Sequence, residues 1–188
     1  MEFVFGYGSL AADLAGGHAA RLRGWRRHWG VAMDNSVDLP GYKHYRLRSD
    51  GSRPAVCVAF LDIVADDGAT TTGACVPVEP GELPAIDRRE RNYDRIDVTA
   101  AVAPARGTVW AYVGTAGGRE RLRDARAAGS AVVSRDYLER TRAAFAALGP
   151  AALAEFERTA AVADLPVWEL ERLDGARAAT APRTPGRC

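Results

Sequence analysis

The sequence predicts an α+β fold built as one domain. Short β-prone runs fill most of the chain, one short helical segment interrupts them, and helical patterns follow near the carboxyl end. This order lacks the regular alternation of strands and helices that marks a doubly wound α/β fold. A chain of 188 residues fits a single hydrophobic core, and we expect one domain over residues 1–174.

Composition and charge are those of an ordinary globular protein. Lys plus Arg number 25 against 24 Asp plus Glu, a formal net charge of +1, and 47% of the residues are hydrophobic. These values argue against wholesale disorder and against a protein that coats nucleic acid. The most apolar stretch, residues 55–65, is about half as long as a membrane-spanning helix, and Asp62 interrupts it. We therefore expect no membrane span and no nucleic-acid partner.

The three cysteines, Cys57, Cys75 and Cys188, are too few and too scattered for a disulfide framework. We expect buried, reduced thiols, with a catalytic thiol as the alternative. No Cys or His cluster has the spacing of zinc ligands, so no metal site is predicted. The amino terminus lacks the basic region of a signal peptide, and we expect a cytoplasmic protein.

The first β-prone run, residues 3–5, ends at Gly6-Tyr7-Gly8-Ser9, where two glycines permit backbone angles that other residues avoid. A strand followed by a glycine loop is expected. A dinucleotide-binding fingerprint would have its third glycine at position 11, where this chain has Ala11. No clear amphipathic helix follows, which argues against binding of a nicotinamide dinucleotide.

Further strands are predicted in the middle of the chain. Residues 23–33 alternate in the manner of a half-buried strand, and residues 34–41 form a loop. Residues 55–64 and 71–78 are two more strands. The turn-rich Asp66-Asp67-Gly68 separates them, which suggests a hairpin or a neighbouring pair.

The period then changes to that of a helix. Leu83, Ile86 and Glu90 fall on one helical face after Pro80 and Pro84, so a short helix is expected to end near Glu90.

Two strands, residues 93–102 and 108–113, are expected to close the sheet. Residues 117–128 carry interleaved arginines and acids whose charges nearly cancel. We interpret this segment as a solvated helical face or loop rather than a nucleic-acid patch.

The carboxyl-terminal part of the domain is predicted to be helical. Ser134 can cap a helix over residues 135–148, and a second helix covers residues 151–161. An apolar segment around Trp168 is expected to dock on the body of the protein. Residues 175–188 have no large apolar side chain, which predicts a flexible tail.

Glu90 is the most informative candidate for chemistry. Its place on the face of Leu83 and Ile86 directs the carboxylate towards the apolar interior or into a cavity. Burial and the negative end of a helix both raise a carboxyl pKa above its reference of about 4.3, which prepares a general base. The alternative is an ion pair at the surface, for which the nearby arginines are Arg88, Arg91 and Arg95.

The glycine loop at residues 6–10 is the second candidate. Backbone N–H groups freed by glycines can converge on an anion or a developing oxyanion, although a tight turn after a strand would also explain the two glycines. The hydroxyls of Tyr93, Tyr112 and Tyr137 could line a polar pocket. Each of these tyrosines could instead lie at the boundary of the core.

Four pieces of the sequence resemble the γ-glutamylcyclotransferase-like superfamily. FVFGYGSL at residues 3–10 matches that family's strand and Y-G-S-[NL] loop, and IDRRERNYDRIDV at residues 86–98 matches its helix-end acid, followed by Tyr and a strand. VWAYV at residues 109–113 resembles its late aromatic strand, and SRDYL at residues 134–138 resembles its S-x-x-Y helix start. The resemblance spans residues 3–148.

The resemblance implies a small mixed, barrel-like β-sheet with flanking helices, and a reaction that cyclises a γ-glutamyl compound to 5-oxoproline with release of an amine. Glu90 matches the family's catalytic acid and would act as general acid and base. Attack within one molecule closes a five-membered ring, so no metal or cofactor is implied. The residues expected to bind the substrate are Gly6, Tyr7, Gly8, Ser9, Leu10, Tyr93, Tyr112 and Tyr137.

Two positions depart from the commonest family pattern. Leu10 stands where some members have Asn, and Arg91 follows Glu90 where Gly is frequent. Arg91 could narrow the pocket mouth, bind a substrate carboxylate or face water. We therefore expect a cytoplasmic γ-glutamylcyclotransferase-type enzyme whose partner is a small γ-glutamyl substrate. The alternatives are a binding or regulatory module that keeps the pocket without turnover, and an enzyme that acts on another acyl group.

Overall fold

The backbone forms ten β-strands, five α-helices and one 3-10 turn in the part of the chain that the structure describes. This computed structural model describes residues 1–13, 16–79, 81–103, 107–162 and 164–174. The strands are β1 (Glu2–Gly6), β2 (His18–Asp34), β3 (His44–Leu47), β4 (Cys57–Val78), β5 (Tyr93–Asp97), β6 (Val102–Ala103), β7 (Thr108–Gly114), β8 (Ala131–Ser134), β9 (Val167–Trp168) and β10 (Leu170–Leu173). The helices are α1 (Leu10–Asp13), α2 (Leu83–Arg89), α3 (Ala116–Ala127), α4 (Arg135–Ala147) and α5 (Pro150–Thr159), and the 3-10 turn is Thr99–Ala101.

The principal sheet is mixed. Its strands follow the order β5-β7-β1-β4-β2-β6, and β8 joins it beside β4. β1 runs parallel to β7 and antiparallel to β4, while β8 runs parallel to both β4 and β9. β3 and β10 form a separate antiparallel pair. The α+β class and the mixed, barrel-like sheet with flanking helices are therefore confirmed.

The longest feature is an antiparallel ribbon of β2 and β4, which span 17 and 22 residues. The expected hairpin at Asp66-Asp67-Gly68 is wrong, because these residues lie inside one continuous strand. Both halves of β4 pair with β2 rather than with each other. The register runs from Arg23 opposite Thr70 to Trp25 opposite Ala65, so the turn-prone residues form an irregularity in the strand opposite Gly24.

The strand expected over residues 93–102 is interrupted. β5 ends at Asp97, whose carboxylate accepts a hydrogen bond from the Thr99 N–H at 2.8 Å and starts the 3-10 turn. An Asp that bonds the backbone two residues ahead favours a turn over a continued strand, which explains the interruption. Two short strands, β3 and β8, complete the sheets.

The two carboxyl-terminal helices pack on the sheet as expected. In α4, Thr141 and Phe145 are buried, and the Phe145 ring stacks on Phe156 of α5 with centroids 4.6 Å apart. Ser134 is the N-cap residue of α4 as predicted, but its side chain makes no capping hydrogen bond. The segment around Trp168 docks as β9 and β10. The predicted tail, residues 175–188, lies outside the described residues.

Helix α3 departs from a purely solvated face. The Arg119 guanidinium donates to the buried Asp62 carboxylate, with 2.8 Å between Nε and Oδ2, and Arg121 donates to the Ala32 carbonyl at 2.8 Å. Buried carboxylates and carbonyls need hydrogen-bond donors, so the side chains of Arg119 and Arg121 turn from the charged face of α3 towards the sheet. No helix of the described residues is long and apolar enough to cross a membrane.

Two of the three cysteines can be placed. Cys75 is buried in β4, Cys57 is half-buried at the start of the same strand, and neither is in a disulfide. Burial raises the pKa of the Cys75 thiol to about 11, so this thiol stays protonated at neutral pH. Cys188 lies outside the described residues.

Helix α2 has its own small core. Leu83 and Ile86 are buried against Val4 of β1, Val78 of β4 and Tyr112 of β7. Burying a Leu or Ile side chain contributes about 1.5–3 kcal/mol, so this face fixes the helix on the sheet. The helix ends at Arg89, and Glu90 is its C-cap residue. The expected helix end is confirmed, and its docking holds Glu90 in place.

Candidate active site

A narrow pocket lies where the chain leaves β1. Its cavity volume is about 20 Å³, close to the space of one water molecule. Eight of the nine residues predicted for the site line this pocket together, and Gly6 is the exception. The lining residues are Tyr7, Gly8, Ser9, Leu10, Leu61, Glu90, Tyr93, Tyr112 and Tyr137.

Gly6 shapes the loop from behind. A Cβ at this position would lie 2.5 Å from the Ala11 nitrogen, which no side chain tolerates. The chain turns back at once into α1, with hydrogen bonds from Ala11 N–H to Gly8 O at 3.0 Å and from Ala12 N–H to Ser9 O at 2.9 Å. Glycine is therefore needed at Gly6 for the close approach of loop and helix, rather than for contact with a ligand.

Three tyrosine hydroxyls tie the pocket walls together. Tyr7 donates to the Tyr112 carbonyl at 2.5 Å, and Tyr93 donates to the Leu61 carbonyl at 2.7 Å. Tyr112 donates to the Asp87 carboxylate of α2 at 2.8 Å. These bonds connect β1, β4, β5, β7 and α2, so the rings that face the pocket are held by their hydroxyl groups.

The fourth tyrosine, Tyr137, comes from the first turn of α4. Its ring packs edge-on against Phe60, with centroids 5.1 Å apart, and its Oη accepts a long hydrogen bond of 3.4 Å from the Leu61 N–H. A Cβ added to Gly8 would lie 3.0 Å from this oxygen. The phenol therefore stands directly over the backbone of the loop.

The tyrosines stay protonated at neutral pH. Burial raises the pKa of Tyr7, Tyr93 and Tyr137 above the ordinary value. Burial also raises the pKa of Tyr112, and the hydrogen bond and charge of Asp87 act in the same direction. Neutral phenols can donate hydrogen bonds but carry no charge, so Glu90 supplies the ionisable carboxyl group of the lining.

Glu90 reaches the pocket from the end of α2. Its side chain is only 12% exposed, and one carboxylate oxygen accepts from Arg89 Nε at 3.0 Å. The backbone is fixed on both sides, because the Glu90 N–H donates to Ile86 O and the Glu90 carbonyl accepts from the Tyr93 N–H. The ion pair is therefore formed with Arg89 rather than with the arginines named in the alternative, and the carboxylate lies in the pocket wall.

Arg91 holds a neighbouring loop. Its guanidinium donates to the Pro40 carbonyl at 3.1 Å and lies 5.5 Å from the centre of the Tyr42 ring. Asn92 adds a hydrogen bond of 3.2 Å to the Tyr42 hydroxyl. These contacts give Arg91 a role that the sequence analysis did not consider, in which it holds Pro40 and Tyr42 beside the end of α2.

The sequence and fold agree with one known family. The profile of the gamma-glutamyl cyclotransferase, AIG2-like family matches residues 4–137. The chain belongs to this family. The match contains every residue that lines the pocket, from Tyr7 to Tyr137.

Solved structures are similar to this chain at low sequence identity, and the yeast one below shares its fold. A gamma-glutamyl cyclotransferase from yeast, described as specific to glutathione, is 14% identical with a TM-score of 0.50, and the alignment covers 85% of this chain and 96% of that one. An uncharacterized human protein is 18% identical with a TM-score of 0.40, and the alignment covers 60% of this chain and 66% of the human one. The chain thus spans just under two thirds of that human structure. No curated protein sequence matches.

Leu61 is a pocket residue that the sequence analysis missed. Its backbone carbonyl accepts from Tyr93 and its N–H contacts Tyr137, so the middle of β4 forms one wall. Nothing distinguishes Leu61 from its apolar neighbours in the sequence, because only the pairing of β4 with the rest of the sheet brings it to the loop. Within the described residues, no group of three or more His, Cys, Asp or Glu side chains could hold a metal ion.

Proposed function

We propose that this protein cyclises a γ-glutamyl compound to 5-oxoproline and releases an amine, with Glu90 as general acid and base. The observation that carries the proposal is Glu90 in a wall otherwise made of Gly8, Ser9, two leucines and protonated tyrosines. A single titratable acid beside backbone donors suits a reaction that needs proton transfer and oxyanion stabilisation. Membership of the family supports the same reaction.

The proton balance is compatible with one carboxylate. The substrate's α-ammonium first gives a proton to Glu90, and the freed α-nitrogen then attacks the γ-carbonyl carbon. As the five-membered ring forms, this nitrogen loses a second proton, and the bond from carbon to the departing nitrogen breaks. Two protons therefore pass in succession from the α-nitrogen to the departing amine, and Glu90 can carry each of them.

The loop would stabilise the oxygen that becomes negative during attack. Gly8, Ser9 and Leu10 line the pocket, and their backbone N–H groups are the candidate donors. The protonated Tyr137 hydroxyl, directly over Gly8, is a further donor candidate. Holding the substrate in a folded conformer supplies much of the remaining rate, since attack is within one molecule.

The leaving amine has room outside the narrow pocket. A larger cavity, with a volume of about 740 Å³, shares the Tyr137 wall and contains Arg89, the ion-pair partner of Glu90. The walls of the narrow pocket would move apart to admit the γ-glutamyl group, and the departing part of the substrate would extend into the larger cavity.

The test is 5-oxoproline release by the purified protein, measured by mass spectrometry. The panel contains γ-glutamyl amino acids, glutathione, γ-glutamyl-lysine and γ-glutamyl amines. We expect release from at least one of them, and we expect Glu90→Gln to lower the rate by about 10²–10⁴-fold, the usual contribution of general acid and base catalysis. The control is Glu79→Gln, which removes an exposed carboxylate before α2 and should leave the rate unchanged.

Two outcomes would overturn the proposal. Full turnover by Glu90→Gln, with an unchanged thermal midpoint, would exclude Glu90 as the acid and base. Silence of the wild type across the panel, together with stabilisation by one of its compounds, would favour a binding module that lacks turnover.

A further inference from the structure

Arg27 is a charged side chain in the interior, behind the glycine loop. It lies in β2 and its side chain is 0% exposed. An unpaired charge in such a place is very costly, so the surroundings must satisfy the guanidinium. Its partners indicate what the residue does.

The guanidinium connects the loop to the last helix. Nε donates to the Tyr7 carbonyl at 2.9 Å, and Nη2 donates to the Thr72 carbonyl of β4. On the other side, Nη1 donates to Thr159 Oγ1 at 2.8 Å and to Glu155 Oε2 at 3.1 Å, both in α5. One buried group therefore joins the end of β1, β4 and α5.

The aromatic rings of α4 and α5 complete the surroundings. The guanidinium carbon lies 4.6 Å from the centre of the Phe145 ring and 5.2 Å from that of Phe156. Burial lowers the pKa of Arg27, and Glu155 acts in the opposite direction. An arginine remains charged in proteins, so the donor set is permanent across the pH range of activity.

The contact with Tyr7 reaches the pocket through one peptide plane. In a planar trans peptide the C=O and the N–H point in opposite directions. The Tyr7 carbonyl is held towards Arg27, so the N–H of the same peptide, which belongs to Gly8, points away from Arg27. Among the described residues this N–H has no hydrogen-bond acceptor, and Gly8 lines the pocket.

We infer that Arg27 is a positioning residue, which fixes the Tyr7–Gly8 peptide and so aims the Gly8 N–H at the substrate oxygen. The inference rests on the proposed function for its effect on turnover. Arg27 touches no reacting atom and acts only through the loop. Glu155 and Thr159 of α5 accept hydrogen bonds from another nitrogen of the guanidinium and satisfy the buried charge.

The test compares a variant that loses the hydrogen bond to the Tyr7 carbonyl with a variant that keeps this bond and loses only part of the contact with α5. The double variant Arg27→Met, Glu155→Met removes both charges, so no unpaired ion is left in the interior. The matched control Glu155→Gln weakens the ion pair but keeps the donor to the Tyr7 carbonyl. Both variants disturb the contact with α5, and only the first frees the loop.

Two readouts are measured on each protein. Amide hydrogen exchange at Ala11 and Ala12, whose N–H groups donate to the loop carbonyls of Gly8 and Ser9, relative to Ile96 in β5, reports the loop without any turnover. We expect exchange at least about tenfold faster in the double variant and unchanged in Glu155→Gln. The kcat for 5-oxoproline release is expected to fall at least about tenfold in the double variant, with KM changing less than about threefold.

Equal loop exchange in the two variants, or an equal loss of kcat in both, would overturn the inference and leave Arg27 a purely structural role. If the wild type releases no 5-oxoproline, the proposed function is contradicted. The exchange data would still decide whether Arg27 positions the loop. If the double variant does not fold, the wild type decides: slow exchange of the Arg27 Nε–H supports the bond to Tyr7, and exchange at the solvent rate overturns it.

Discussion

Gly8 permits the close contact between the loop backbone and the Tyr137 phenol. The position that its Cβ would take lies 3.0 Å from Tyr137 Oη and 3.6 Å from Leu61 Cβ. Its φ angle is not positive, so space rather than backbone freedom requires glycine here. A methyl group would have to displace the phenol or the loop by a few tenths of an ångström.

We therefore expect Gly8→Ala to lower kcat/KM for 5-oxoproline release by about 10–100-fold, since small misplacements of catalytic donors are costly. The control is Gly117→Ala in α3, where an added Cβ meets no atom within 4 Å. This variant should keep full activity and gain up to about 1 kcal/mol of stability, because Ala is the better helix former. Full activity of Gly8→Ala would contradict the contact with Tyr137.

Many of the individual residues of the candidate site could be predicted from the sequence. The loop and Glu90 were recognisable because each combines a residue type with a local pattern, a glycine turn after a strand and an acid on an apolar helical face. The position of Arg27 could have been predicted from the two-residue repeat of a strand, because Arg27 lies between Trp25 and Trp29 on the same face of β2. The Asp87 partner of Tyr112 had no such signal, because the two residues meet only after α2 docks on the sheet.

The N-cap residues of α3 and α4 differ in whether their side chains cap the helix. Thr115 caps α3, and its side chain accepts from the Gly118 N–H at 3.0 Å. Ser134 occupies the same position before α4, but its hydroxyl instead faces the Leu170 carbonyl at 3.4 Å. Ser134 is fully buried in a strand that pairs with β9, so sheet contacts direct its side chain away from the helix.

Substitution by alanine at the two positions should lower the free energy of unfolding by different amounts. Thr115→Ala removes a working cap and is expected to lower the free energy of unfolding by about 1 kcal/mol. Ser134→Ala removes only a long hydrogen bond and should cost less than about 0.5 kcal/mol. Urea unfolding of both variants measures the difference. A larger loss for Ser134→Ala would show that the serine caps α4 after all.

Asp62 connects four elements across the whole molecule. Its carboxylate is fully buried in β4 and accepts from the Gly114 N–H of β7 at 2.7 Å and from Arg119 of α3 at 2.8 Å. His28 of β2 lies 3.6 Å away. Burial acts to raise the pKa of Asp62, but the nearby His28 and the hydrogen bonds from Arg119 and the Gly114 N–H outweigh it, so the pKa lies below its ordinary value.

The lowered pKa of Asp62 determines how its contribution to stability depends on pH. Because the folded-state pKa is below the unfolded value of about 3.9, Asp62 stabilises the fold above that pH, and the contribution is lost as the pH falls through the folded-state pKa. Asp62→Asn should lower the free energy of unfolding by about 2–3 kcal/mol at pH 7, and the difference from wild type should shrink in acid. The control Asp67→Asn, at an exposed position of the same strand, should show neither effect. A difference that stays constant between pH 7 and pH 3 would contradict this role.

The fold class could be predicted from the order of strand and helix patterns along the chain. The loop after β1, the end of α2 at Glu90 and the family resemblance could be predicted because each is encoded in a few consecutive residues. Tertiary contacts make residues 57–78 one strand, since pairing of both halves with β2 overrides the turn preference of Asp66–Gly68. They also bring Leu61 to the loop, place Arg27 behind it and pair Glu90 with Arg89. The first and second of these contacts join residues far apart in sequence, and the third depends on a side-chain orientation that periodicity does not specify.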